Sequence, residues 1–145
     1  MLWTQIDEPS HTVKVLNSVL NSQIFGEGVC PINDTELMWL TYKSGDVLVL
    51  DSQTLAIKSD RTFDLWPCAE DGWGVTLDKT NRKIYLSDGS SSIHKIDQVS
   101  LEMEDCIPVT DQDGNPVENL NELEFVNGFI WANIFMQNYI VKIDA

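Results

Sequence analysis

Gly26-Glu27-Gly28-Val29 and Gly72-Trp73-Gly74-Val75 stand 46 residues apart, and the blocks that follow them keep the same step. Leu37-Met38-Trp39-Leu40 falls on Lys83-Ile84-Tyr85-Leu86, and then on Phe129-Ile130-Trp131-Ala132. Val47-Leu48-Val49-Leu50-Asp51 falls on Ile93-His94-Lys95-Ile96-Asp97. With one extra residue, it also falls on Ile140-Val141-Lys142-Ile143-Asp144. Short apolar segments recurring every 40 to 50 residues or so are the mark of β-propeller blades. Blades fan around one axis, so equivalent positions meet near that axis however far apart they lie in sequence. The repeat predicts an all-β chain of about three blades, roughly residues 23–68, 69–115 and 116–145.

Local signals agree. The runs 47–50, 83–86 and 129–134 carry β-branched and aromatic residues. Turn clusters bound them: Lys43-Ser44-Gly45-Asp46, Asp78-Lys79-Thr80-Asn81, Asp88-Gly89-Ser90-Ser91-Ser92 and Asp111-Gln112-Asp113-Gly114-Asn115-Pro116. Residues 12–19, with Val13, Val15 and Leu16, fit a strand as well as a helix and are read as strand. Propellers usually close with four or more blades. Three blades form an incomplete ring, whose open sheet edges invite association between copies.

The 145 residues suit one domain, and a formal charge of −14 repels phosphate. Nucleic acid and anionic membrane are therefore poor partners. No apolar run approaches the roughly 20 residues of a membrane helix. The start, Met1-Leu2-Trp3-Thr4, lacks the basic and then apolar stretch of a signal peptide. Cys30, Cys68 and Cys106 are an odd set and cannot all pair within the chain. They lie out of step with the repeat and show no C-x-x-C spacing, so they read as structural or incidental thiols. His11 and His94 are the histidines. His94 sits in a strand pattern with no neighbouring cysteine or serine motif. Asp111-Gln112-Asp113-Gly114-Asn115 hints at a cation loop but lacks the full ligand pattern, and reads as a solvated turn. Gly72-Trp73-Gly74 opens a strand rather than a helix, so it is no phosphate loop.

One ordered series carries a family resemblance. It runs Phe25-Gly26-Glu27-Gly28, Asp71-Gly72-Trp73-Gly74-Val75-Thr76, Ser87-Asp88-Gly89-Ser90-Ser91, Leu120-Asn121-Glu122-Leu123-Glu124, Trp131-Ala132-Asn133 and Val141-Lys142-Ile143-Asp144. From about Gln23 onward the chain resembles the plant and bacterial type of glutaminyl cyclase. That family implies a five-bladed propeller around a central channel, of which this chain matches about three blades. It also implies conversion of the N-terminal glutamine of peptides or proteins to pyroglutamate with release of ammonia. The chemistry needs no metal and no cofactor, and the proteins are generally secretory or periplasmic.

The resemblance assigns roles that the residues suit chemically. In this cyclisation the α-amine loses a proton and the departing amide nitrogen gains one. A single carboxyl can shuttle it, and Glu27 holds the matching position. Gly26 and Gly28 would leave room for a peptide terminus to approach the backbone. Asn121 would polarise the amide carbonyl through its side-chain N–H. Trp73 matches one tryptophan of the family's apolar pocket; Tyr42 and Phe135 stand where the family has two others, and Phe25 would also face the pocket. Alone, Glu27 also reads as a turn residue between glycines, Asn121 as a turn asparagine bonding its own backbone, and the aromatics as core. Trp3, Trp39, Trp66 and Trp131 read as packing. The family's first-blade phenylalanine and glutamine and its last-blade lysine have no counterparts in these residues. Two other functions stay open: a non-catalytic propeller scaffold that binds peptides or proteins, and a metal-dependent propeller hydrolase of the lactonase kind.

Overall fold

A computed structural model describes residues 2–7, 12–18, 23–62, 68–69 and 71–144. Among them all regular structure is strand, and no helix is long and apolar enough to cross a membrane. β1 (Leu2–Asp7) pairs antiparallel with β2 (Thr12–Ser18). A four-stranded meander follows: β3 (Phe25–Pro31), β4 (Glu36–Tyr42), β5 (Asp46–Asp51) and β6 (Ile57–Thr62). A second contains β7 (Val75–Asp78), β8 (Lys83–Leu86), β9 (Ser92–Asp97) and β10 (Met103–Pro108). A third, of three strands, contains β11 (Leu120–Val126), β12 (Phe129–Ile134) and β13 (Ile140–Ile143). The sheet formed by β1 and β2 lies ahead of the repeat, which gave no sign of β1. His11 and Trp66, and the side chain of Trp3, fall outside what the structure describes.

The repeat in sequence is a repeat in hydrogen bonding. Asp51 Oδ1 accepts the backbone N–H groups of Gln53 and Thr54 at 3.1 and 2.8 Å. Forty-six residues on, Asp97 Oδ1 accepts those of Val99 and Ser100 at 2.9 and 3.0 Å. These bonds and Lys83 hold the Asp97 carboxyl down to about 2. Each turn ends in a leucine, Leu55 or Leu101, whose N–H returns to the aspartate carbonyl at 2.9 Å. Both leucines take left-handed backbone, φ 59° and 57°, which costs a non-glycine residue about 1–3 kcal/mol. Burial of each side chain, worth about 1.5–3 kcal/mol, offsets that strain.

Strand alternation explains how the sheets stack. Ile84 and Leu86 on β8 pack with Met38, Leu40, Val47 and Val49 of the first meander. Tyr85, between them in sequence, points to the other face and joins Leu120, Leu123, Ile130 and Ile134 of the third sheet. The middle sheet is thus covered on both faces. Among the described residues nothing covers the far side of the third sheet, where Trp131 is 36% exposed, with Val126 and Ile140. Trp131 is therefore no core residue, whereas Trp39, at 6% exposure, is.

The sheets meet at their innermost strands, β3 against β7 and β7 against β11. Gly28 N–H donates to the Trp73 carbonyl at 2.7 Å. A methyl group on Gly28 would sit 2.6 Å from that oxygen, and one on Gly74 would overlap the Asn121 carbonyl. The paired glycines therefore let backbone touch backbone at the centre of the fan. Gly74→Ala should cost about 1–3 kcal/mol or more, because the obstruction is main chain that cannot step aside. Urea unfolding should show a lowered midpoint; an unchanged midpoint would mean that the inner strands are further apart.

Candidate active site

The inner strands carry the two polar residues singled out by sequence, and both sit where the ladder is irregular. The β3–β4 register shifts between Gly26 and Val29, around Glu27; the β11–β12 register shifts between Leu120 and Leu123, around Asn121. Such bulges turn a side chain away from its regular alternation. Neither side chain has a hydrogen bond or ion pair among the described residues. Asn121 lies in β11 and does not bond its own backbone, so the turn reading fails for it. Glu27 lies in β3 rather than in a turn.

Glu27 is half-buried. Desolvation pushes its carboxyl above the ordinary 4.5, and the negative charges of Glu122 and Asp71 push it further. All three effects disfavour the ionised form.

Four aromatic side chains, the first of them on β3, form a row in which each meets the next edge to face. Phe25 and Tyr42, cross-strand partners at the open end of the β3–β4 pair, have ring centroids 6.2 Å apart. Tyr42 and Trp73 are 6.4 Å apart, and Trp73 and Phe135 are 5.5 Å apart. Phe25 and Phe135 stay 67% and 50% exposed, so the row is a wall rather than a core. Its buried Trp73 Nε1–H has no partner among the described residues. A buried donor left unpaired is costly unless a ligand supplies the acceptor.

Sequence reasoning did not find the groups that hold this wall. The Ser87 hydroxyl accepts the Gly74 N–H at 2.9 Å and donates to the Asn121 carbonyl at 2.6 Å. It thereby couples the Trp73 segment to β11. The indole of Trp73 lies across Gly89, which has φ +82° and where a methyl group would come within 2.6 Å of the ring. Asp71 Oδ1 accepts the Lys43 N–H at 2.7 Å and the Gly72 N–H at 2.9 Å, fastening the Tyr42 turn to the Trp73 segment. Lys43 Nζ rests 4.6 Å from the Tyr42 ring centroid.

One expectation needs correction. The space at Gly26 and Gly28 is not left open for a peptide: the Trp39 indole fills the first and the Trp73–Val75 backbone the second. The cysteines, read as structural or incidental thiols that cannot all pair, are one pair and one free thiol. Cys68 and Cys106 are joined as a disulfide with Cα atoms 6.6 Å apart, and His94 lies beside them. Cys30 is free, and burial, aided by Glu124, pushes its thiol up to about 12. The Asp111 loop closes on itself, its carboxylate accepting N–H groups from Asp113 and Asn115, as a solvated turn does.

Inner strands that carry an acid and an amide, with a row of aromatic rings on the neighbouring segments, make a candidate site on a propeller, and comparison with known proteins gives the chain its family. The sequence profile of the Glutamine cyclotransferase family matches residues 4–145, and the chain belongs to that family. It is 26% identical over 142 residues to the glutaminyl-peptide cyclotransferase of Arabidopsis thaliana, covering 97% of this chain and 41% of that protein. The crystal structure of Myxococcus xanthus glutaminyl cyclase superposes with a TM-score of 0.72 at 26% identity, over 92% of this chain and 51% of that one. A dihydro-heme d1 dehydrogenase, NirN, shares the fold alone, at TM-score 0.51 and 9% identity over 82% of this chain and 28% of its own. The chain thus spans between two fifths and about half of these glutaminyl cyclase relatives.

The raised Glu27 carboxyl has a consequence for stability. Well below 4.5 the group is protonated in both the folded and the unfolded chain and costs nothing. As pH rises, the unfolded chain ionises first, and the folded state loses stability. Glu27→Gln should therefore raise the melting temperature at pH 7 and leave it unchanged near pH 3. A variant less stable than the parent at pH 7 would contradict the desolvated placement.

Proposed function

We propose that the pocket serves a glutaminyl-peptide cyclotransferase, which closes the N-terminal glutamine of a peptide or protein into pyroglutamate and releases ammonia. The observation that carries this reading is the unpaired, partly desolvated Glu27 on the strand that also carries Phe25, the first ring of an aromatic row whose Trp73 N–H is unpaired. The Glu27 carboxylate takes a proton from the substrate's α-amine as its nitrogen attacks the side-chain amide carbon. The new N–C bond makes a tetrahedral oxyanion, to which the Asn121 amide donates. Glu27 then passes the proton to the amide nitrogen, the C–N bond breaks, and ammonia leaves. A carboxyl held above 4.5 is better matched to the second step than an ordinary glutamate, because it gives up its proton nearer neutral pH. Phe25, Tyr42, Trp73 and Phe135 hold the methylene stem of the glutamine, and the Trp73 N–H offers a bond to its carbonyl.

Ammonia release from a glutamine-headed peptide is the assay. Glu27→Gln should lower kcat by about 10²–10⁴-fold, and Asn121→Ala by about 10²–10³-fold. At low pH, log kcat/KM should climb with a slope of two, because both Glu27 and the substrate amine must lose protons. The Glu27 break should lie above 4.5, and Glu27→Gln should reduce the slope to one. A folded protein that binds such peptides without turnover would favour the scaffold function instead. Activity insensitive to Glu27→Gln would remove the proposed proton shuttle.

A further inference from the structure

His94, in the middle of β9, takes no part in the proposed cyclisation, yet it is completely buried among polar partners. Its Nε2 faces Asp88 Oδ2 at 3.0 Å, and Asp88 is buried too. Its Nδ1 faces Cys68 Sγ at 3.6 Å. Cys106 is the cross-strand partner of His94 on β10, and donor atoms of Cys68, His94 and Cys106 all lie within 4.8 Å of one another. The Met103 thioether closes the group, 3.1 Å from Cys68 Sγ and 3.5 Å from Cys106 Sγ.

We propose that, in the reduced protein, Cys68, His94 and Cys106 bind one Zn²⁺, with the Met103 thioether alongside, and that the disulfide is the closed state of this site. Three observations bear on it. Two sulfurs and an imidazole are a zinc donor set. In a tetrahedral site with Zn–S of about 2.3 Å and Zn–N of about 2.0–2.1 Å, the sulfur-to-nitrogen edge is about 3.6 Å, the separation found here. The far nitrogen of His94 makes no hydrogen bond as it stands, but the Asp88 carboxylate is 3.0 Å away, one of the acceptors that metal-bound histidines use; aligned with that N–H, it would fix the tautomer that leaves Nδ1 free to ligate. A structural crosslink alone needs neither the buried imidazole nor the buried carboxylate.

The chemistry balances with an external thiol as reductant. Two thiol molecules reduce the Cys68–Cys106 disulfide, become a disulfide themselves and leave two protein thiols. Zn²⁺ then displaces two protons as both sulfurs bind as thiolates. Cys68 and Cys106 are partly exposed, so a small thiol can reach them. The site would link the segment ahead of β7 to the outer strand of the same blade, and it rests on none of the residues assigned to cyclisation.

The test is anaerobic titration of the full chain with Co²⁺ after phosphine reduction, followed by displacement with Zn²⁺. One Co²⁺ per chain is expected, with thiolate charge-transfer absorption and the visible bands of tetrahedral cobalt. The oxidised chain should bind none. Cys68→Ser or Cys106→Ser should weaken the charge-transfer band, Asp88→Asn should lower affinity about 10–100-fold, and Cys30→Ser should change nothing. If a cysteine variant fails to fold, the comparison of reduced and oxidised parent protein still decides. No stoichiometric cobalt in a reduced, folded chain with both thiols titrating would overturn the proposal. So would a disulfide that thiols open only in denaturant.

Discussion

Everything in this pocket depends on how closely the inner strands approach. Gly28 presses on the carbonyl of Trp73, and Gly74 presses on the backbone of Asn121 and Glu122. A side chain at either glycine would push adjacent sheets apart at their centre, where Glu27 on β3, Trp73 just ahead of β7 and Asn121 on β11 come from three different blades. The same contact sets their electrostatics. Packing here desolvates Glu27 in part, and Glu122 and Asp71 lie near enough to oppose its ionisation.

Polar side chains then fix what the glycines allow. Ser87 spans from Gly74 to Asn121, and Thr76 Oγ1 accepts the Phe125 N–H at 2.9 Å one step further along the same seam. Beneath the seam, alternate residues of β8 serve two interfaces, and the stacked rings of Tyr85 and Phe125, 5.8 Å apart, belong to the second. The pocket holds charge repulsion and an unpaired indole donor, while the packed interfaces supply stability. That division suits a site whose binding groups are left unsatisfied until a ligand arrives.

The fold was legible because a propeller writes the same constraints into each blade. The paired glycines, the apolar central strands and the Asp51 and Asp97 turns recur at one spacing, and the structure gives the two turns the same hydrogen bonds. The candidate site residues rest on family resemblance, since nothing in local pattern distinguishes Glu27 from a surface turn. What periodicity missed was whatever breaks the period. β1 has no repeat partner, Trp131 occupies a core position on a face that nothing described here covers, and Cys68 lies between blades. Its approach to Cys106 and His94 depends on the path of the chain ahead of β7, which no spacing rule encodes. The purpose of Gly26 and Gly28 was misjudged for a related reason: a gap in sequence does not reveal which neighbour fills it.

The central claim is that Glu27, Trp73 and Asn121 face one shared pocket. Its most direct test is an NMR titration with a peptide headed by pyroglutamate, the stable product of the proposed reaction. The account predicts that the Trp73 indole N–H and the Asn121 side-chain amide resonances shift together and saturate at the same ligand concentration. Their backbone neighbours around Glu27 should move with them. Shifts confined to the face around Trp131, or no change at the Trp73 indole at saturating peptide, would contradict it.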